Sequence, residues 1–438
     1  MKFLNFNMDI PENVLSILNT LQKNNYEAYV VGGCVRDSLL GKKPKDWDIT
    51  TNATPEQVKE CFELYRILDT GLKHGTVTIM INGEGYEVTT YRIDGDYTNH
   101  RQPDFVLYSQ DLIDDLKRRD FTINAIAYNP INGFVDPFNG IKDIKRKVIR
   151  CVGDPNLRFE EDALRILRAI RFSNVLGFSI AKRTRNSLFA KAYLLDNIST
   201  ERINVEFSKT INCNSCILFD IDYHFKALAE MYIIKKSYHS ILIPYQNIPL
   251  AGHLALRLQD ISTFKIKQIL QDLRYDNKTI ELVFQIRMLL GHNIKDIDLA
   301  KLNKTYVKKT FLMTFKTEAV FIWLNILSQR AEVCFWDISL RIFIKKIQAI
   351  LTDIFIHNEC YSLKRLKIDG TKLQEIGFDG VDIGLELKKL LNMVVEESVS
   401  NDAIALAEIA SNDYLDNKYK GIPYLCLDGK KATMILED

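Results

Sequence analysis

The 438-residue chain is short of the residues that punctuate and cross-link a fold. It has 20 glycines and 10 prolines, and beyond residue 155 such punctuation is sparse, so domain boundaries there are soft. Eight cysteines, at 34, 61, 151, 213, 216, 334, 360 and 426, follow no framework spacing, which argues against a disulfide scaffold and for a reducing compartment. The one close pair, Cys213-Asn-Ser-Cys216, has neither a second CxxC nor a nearby histidine pair to complete a zinc shell, and is expected to be two reduced thiols. An excess of one charge is missing too. With 58 basic and 56 acidic residues the net charge is +2, which neither demands nor forbids a nucleic-acid partner. No apolar run reaches the length of a membrane span. The opening "MKFLNFNMDIPENV" carries one lysine and two acids, unlike a secretory or Arg-rich transit segment. These absences predict a cytoplasmic protein with no membrane and no protein partner.

What is present describes an ordinary globular chain, 47% hydrophobic and 26% charged, with too many residues for one core. Two to four domains are expected. Strand signals concentrate before residue 150, in "EAYVV", "DWDIT", "TVTIMI", "YEVTTYRI" and "AIAYNP". Beyond residue 155, "FEEDALRILRAIRFSNVL" and "GLELKKLLNMVVEES" have helical spacing. The pattern predicts an α/β head followed by a long all-helical remainder, with soft internal boundaries near residues 215 and 355.

Two local features in the head could carry chemistry. "AYVVGGCVRDSLLG" reads as strand, tight turn and helix, with Gly32 and Gly33 permitting close backbone approach. A glycine pair alone is more often structural, and neither it nor "GLKHGT" at 71–76 completes a Walker A loop. A dozen residues on, "DWD" places Asp46 and Asp48 on one face of an extended segment, with Cα atoms about 6.6 Å apart. Carboxylates that close repel, and one pKa rises, unless a cation neutralises them. Magnesium takes hard oxygen ligands, commonly one or two carboxylates plus substrate phosphates. Two ions roughly 3.5–4 Å apart can activate an attacking hydroxyl and steady a leaving pyrophosphate. A solvated edge strand is the plainer alternative.

With these residues in place, "VVGGCVRDSLLGKKPKDWDIT" resembles the first motif of the polymerase-β-type nucleotidyltransferases. The branch is that of the bacterial-type (class II) CCA-adding tRNA nucleotidyltransferases and bacterial poly(A) polymerases. Further motifs follow in that family's order: "RRDFTINA" at 118–125, "DPFNGIKDIKRKVIRCVGDP" at 136–155, "RFEEDALRILRAIRF" at 158–172 and "ISTERINVEF" at 198–207. "IDGTKLQEIGFDGVDIGLELKKLL" resembles the family's C-terminal segment. The resemblance implies an α+β head with a small mixed sheet, then an all-α remainder. It implies a catalytic head over 1–150, a base-selecting neck over 151–215, a body over 216–355 and a tRNA-binding tail over 356–438. Gly33, Arg36 and Arg119 are implied to meet the incoming nucleotide, Asp46 and Asp48 to hold Mg2+, and a third carboxylate is usual. Glu87, mid-strand in "GYEVTTYR", is the candidate for that third acid; an exposed strand face is its alternative. Arg36 could instead pair with Asp37 at the surface. Asp120 could fix the sugar, brace Arg119 or cap a turn.

In "EDALRILRAIR", Asp162, Arg165, Arg168 and Arg171 recur every three positions. On one helix the row would spiral across a flank, rising roughly 4.5 Å per step. Salt bridges on a helix face are the plain explanation. The alternative is base reading: cytosine and adenine each offer an amino donor beside a ring-nitrogen acceptor, while an ionised Asp only accepts and an Arg only donates. An Asp–Arg pair matches C and A and opposes U and G, at about 1–3 kcal/mol per unpaired buried group. In the resembling family this pair has that role, which implies that Arg168 and Arg171 extend the pocket.

"RIDGDYTNHRQP" at 92–103 resembles the flexible loop with which CCA-adding enzymes switch from C to A, although Asn99 and His100 depart from the usual pattern. The implied reaction is template-independent addition of CCA to the tRNA 3′ end from CTP and ATP, with release of pyrophosphate. A poly(A) polymerase, a CC- or A-only adder, and a non-catalytic RNA-binding relic are the alternatives. Positive clusters at 181–191, 264–268 and 361–372 could meet RNA backbone or simply be solvated helix faces. No His-Asp dipeptide occurs, so the phosphohydrolase domain of some relatives is not expected.

Overall fold

A computed structural model describes residues 8–95, 105–211, 245, 247–258, 261–292, 294, 297–333, 337–418, 427–428 and 431–432. The Cys213–Cys216 pair, most of the 92–103 loop including Asn99 and His100, and the boundary near 215 lie outside the described residues. The chain divides into two compact units: Met1–Leu250 with Asp260–Asp276, and Ala251–Gln259 with Asn277–Asp438.

The first unit opens with α1 (Glu12–Lys23), whose Val14, Ile17, Leu18 and Leu21 make one apolar stripe. Next come β1 (Ala28–Val31), α2 (Gly33–Leu39), β2 (Ile49–Thr51), α3 (Pro55–Cys61), β3 (Arg66–Gly71), β4 (Thr76–Ile81) and β5 (Glu84–Thr90). A short ribbon of β6 (Arg92–Asp94) and β7 (Val106–Tyr108) leads to α4 (Leu112–Lys117), then to β8 (Ala127–Asn129) and β9 (Gly133–Val135). Seven strands form one sheet in the order β3-β4-β5-β2-β1-β8-β9, antiparallel except for the β2–β5 pair. This is the expected small mixed sheet.

β1 is buried along its whole length, as a central strand covered on both faces must be. Alternation sends Ala28 and Val30 into the main core with α1, while Tyr29 and Val31 enter a second layer with Leu112, Leu116 and Val152. α3 starts at a capping box: Thr54 accepts from the Gln57 N–H, Gln57 returns a bond, and Pro55 takes the first turn.

The first unit continues with α5 (Gly140–Arg146), β10 (Val148–Ile149), α6 (Pro155–Glu161), α7 (Leu164–Leu176), β11 (Ser179–Ile180), α8 (Lys182–Ala190) and α9 (Thr200–Ile211). Two expectations need correction. The segment 159–176 is two helices rather than one, because Asp162 adopts an extended conformation (φ −139°, ψ 102°) between α6 and α7. The "DWD" carboxylates precede β2, which begins at Ile49. The remainder is helical as expected, with two short strand pairs alongside: β11 pairs in parallel with β10, and Leu427–Asp428 pairs with Lys431–Ala432.

The second unit is helical apart from that terminal hairpin. Helices Thr317–Val333 and Ile338–Ile356 bury Trp323 between Phe311, stacked at 5.3 Å, and the edge of Phe343 at 5.9 Å. Residue 355 falls in the last turn of the second of these helices. A separate cluster around Leu373, Leu390, Val395 and Leu406 unites the helices Gly370–Ile376, Gly380–Val395 and Ala403–Lys418. Among the described residues no single helix is long and apolar enough to cross a membrane.

Candidate active site

β1 ends in a turn that only glycine adopts cheaply. Gly32 has φ +81°, and a Cβ there would lie 3.0 Å from Arg119 Nη1. Its N–H donates to the Ile126 carbonyl (3.1 Å), tying the turn to β8. α2 then carries Arg36 inward from Gly33. Arg36 does pair with Asp37 (2.8 Å), yet it is buried, and its Nη1 donates to Asn124 Oδ1 at 2.7 Å. It is no surface salt bridge.

This turn borders a cleft of about 840 Å³. Asp46 and Asp48 lie on one edge of it, with the backbone of Asp48 held by the Val31 N–H (3.0 Å). Burial pushes the Asp48 carboxyl above its usual range; Arg119 opposes this and Asp46 adds to it. Glu87 projects from β5, which is paired with β2 in the register Ile49↔Val88. Its side chain is exposed and does not line the cleft, but partial desolvation by the surrounding protein, then Asp48 and Asp46, raise its pKa. Three hard-oxygen donors, of which Asp48 and Glu87 have their charge disfavoured by acidic neighbours, form a set suited to a divalent cation. A different acidic group, Asp353, His357 and Glu359 in the second unit, is already neutralised, since Lys304 sits 2.6 Å from both Asp353 and Glu359.

The opposite wall is built of arginines. Asp115 on α4 is wholly buried and bridges two of them, Arg118 at 2.6 Å and Arg119 at 3.0 Å. Burial alone would raise the Asp115 pKa, but Arg119 and Arg118 hold it below the usual range. Arg119 Nε is buried without a hydrogen-bond partner among the described residues. Asp120 accepts from Arg168 Nε (2.8 Å) and Nη2 (2.6 Å). Burial opposes its charge, yet Arg168 and Asn124 bring its pKa down to about 2. Asp120 therefore braces Arg168 rather than Arg119, while also accepting the Phe121 N–H as a turn residue does.

α7 supplies the rest. Asp162 and Arg165 both line the cleft, and each is held by other groups. Asp162 accepts the Leu164 N–H (3.1 Å) and Arg202 from α9 (3.1 Å). Arg165 donates to Glu161 (2.5 Å) and to the Arg118 carbonyl (3.0 Å). The break at Asp162 removes the continuous spiral expected of the row. Arg168 and Arg171 do follow on α7 and line the cleft; Arg171 lies 3.0 Å from Glu206. Their guanidiniums, with that of Arg36, surround the Phe172 ring at 5.4, 4.5 and 5.0 Å.

The cleft thus gathers Gly33, Arg36 and Arg119 with both aspartates and the α7 row, and leaves Glu87 beside it. Sequence reasoning missed Asp115, Arg118, Asn124, Phe172 and Arg202. All but Asp115 sit inside motifs already singled out, so the signal was proximity to named residues. Asp115 needed the fold.

Residues 28–150 match the model described as "Poly A polymerase head domain". The head of the first unit is thus similar to the poly(A) polymerase head domain. After the head, 177–217 match "Probable RNA and SrmB- binding site of polymerase A". The CCA-adding enzyme of Lactobacillus helveticus is 49% identical over 201 residues, 46% of this chain and 50% of that one. That of Geobacillus thermodenitrificans is 48% identical over 200 residues, 46% and 49% of the two chains. The alignments span about half the length of these curated relatives. The crystal structure of the Bacillus stearothermophilus CCA-adding enzyme in complex with CTP superposes with a TM-score of 0.71 at 27% identity, covering 93% of this chain and 98% of that one.

Proposed function

We propose that the chain is a template-independent nucleotidyltransferase that adds CCA to the 3′ end of tRNA from CTP and ATP, releasing pyrophosphate in the cytoplasm. The observation that carries this is the pairing, across one cleft, of an acid edge lacking enough positive charge with a wall of arginines. Magnesium, held by Asp46 and Asp48 with Glu87 beside them, would polarise the attacking 3′-hydroxyl and offset charge on the departing pyrophosphate, in a two-ion arrangement. Arg36 and Arg119 bind triphosphate oxygens. Asp162 accepts the exocyclic amino group of C or A; a carboxylate has lone pairs beyond those taken by Leu164 N–H and Arg202. Arg165 donates to the ring nitrogen, and Arg168 and Arg171 complete the base-side wall.

The relatives named above are CCA-adding enzymes, one of them solved with CTP, which supports this substrate pair. The RNA acceptor is supported by the match over 177–217, which contains the exposed Lys182 and Arg183 of α8. Exposed Lys265 and Lys267, and Lys364, Lys367 and Lys372 near the tail, are further backbone contacts. The head-domain match favours poly(A) addition as the second reading. Incubating the purified chain with tRNA lacking its 3′ end, CTP and ATP separates the two: three added residues followed by arrest is expected. An open-ended A ladder establishes the second reading, and no extension removes both.

A further inference from the structure

A polar chain crosses the cleft floor from the glycine turn to α7. Asp37 holds Arg36 (2.8 Å), Arg36 Nη1 donates to Asn124 Oδ1 (2.7 Å), Asn124 Nδ2 donates to Asp120 Oδ1 (3.0 Å), and Asp120 holds Arg168 (2.6 Å). Asn124 is its central member, in a 3-10 turn over Thr122–Asn124, and is 7% exposed; Arg36 and Asp120 on either side are 9% and 8% exposed. Its chemistry fits the place in one orientation only. The guanidinium needs an acceptor and the carboxylate needs a donor, and an amide offers the two back to back. A flipped amide would set donor against donor and acceptor against acceptor. The Phe172 ring lies under both Arg36 and Arg168, a second tie between them.

We propose that Asn124 is a positioning residue that sets Arg36 and Arg168 as one unit, so that the phosphate end and the base end of the nucleotide cleft are fixed together. What binds there rests on the nucleotidyltransfer reading; the coupling itself does not require turnover.

The test measures dissociation constants of CTP and UTP with Mg2+ by calorimetry on the full chain and on N124A and N124D. Losing one buried hydrogen-bonded link is expected to weaken CTP roughly tenfold in N124A. N124D keeps the shape but sets a second carboxylate against Asp120, so it is expected to bind CTP more weakly than N124A and to lose CTP-over-UTP preference. A purely space-filling role predicts the reverse order, with N124D close to the parent. That order, or an unchanged CTP-to-UTP ratio, overturns the proposal. Should either variant fail to fold, the cycle R36K, R168K and R36K/R168K is measured with Asn124 intact. Non-additivity of roughly threefold or more in CTP affinity is expected, and additive effects overturn the coupling. A parent that binds CTP but transfers nothing removes the functional reading alone. A parent that transfers CMP while N124D behaves like it removes this proposal alone, and a parent that does not bind CTP removes both.

Discussion

The two sides of the cleft treat carboxylates in opposite ways. On the acid edge, Asp48 and Glu87 are both exposed, and both are pushed above the usual carboxylate range. On the arginine wall, Asp115 is wholly buried and Asp120 nearly so, and both are pulled below it. Burial therefore does not decide the outcome. What differs is the partner: Asp115 and Asp120 sit on guanidiniums at 2.6–3.0 Å, whereas Arg119 offsets Asp48 only in part and Glu87 meets the negative charge of Asp48 and Asp46. One side is complete as folded. The other carries negative charge that a bound cation would offset.

The largest effect that would test this contrast is expected at Asp48. D48N should lower transfer by about a thousandfold or more, as loss of a central electrostatic element does. In metal-free buffer it should melt no lower than the parent, because mutual repulsion is relieved. Added Mg2+ should raise the melting temperature of the parent and not of D48N. A D48N protein that melts well below the parent, or one still stabilised by Mg2+, would break the comparison.

Next comes Asp120. D120A leaves Arg168 without its carboxylate and should cost about 2–3 kcal/mol in urea unfolding. The pH dependence follows from the depressed pKa. A carboxyl near 2 in the folded state contributes stability that is present above the unfolded value of ~4, and this is lost as pH falls from there through about 2. Against the parent, the acid limb of the stability profile should flatten in D120N over that window. The smallest effect is expected at Glu87. E87Q, at the exposed rim of the acid edge, should raise the Mg2+ concentration for half-maximal transfer about tenfold while leaving stability nearly unchanged. An unaltered Mg2+ requirement would take Glu87 out of the donor set.

Much of this cleft was legible because its parts are local in sequence. The glycine turn, Arg36 and the Asp46–Asp48 spacing lie within 17 residues, from Gly32 to Asp48, and the chemistry of each follows from side-chain type and period. The Asp162–Arg171 row was legible as residues but not as geometry. Periodicity sees the apolar face of α7, where Ile166, Leu167 and Ile170 are buried, and cannot see that Asp162 leaves helical φ/ψ to accept the Leu164 N–H. The strands β3 and β9 escaped notice because "RILDTG" ends in turn residues and "GFV" is only three residues long.

The sequence by itself determined which elements form and which chemistry they carry, because backbone propensity, apolar spacing and donor or acceptor type are properties of neighbouring residues. It was enough for an α/β head, a glycine turn, a carboxylate couple and an arginine row, the mixed sheet being what the family resemblance implied. Only the tertiary structure decided who pairs with whom: that Asp115 bridges Arg118 and Arg119, that Asp120 takes Arg168, that Arg202 reaches Asp162 across 40 positions. Pairing sets the charge state of each acid through distances of a few ångströms between groups far apart in the chain, and no spacing rule encodes those distances.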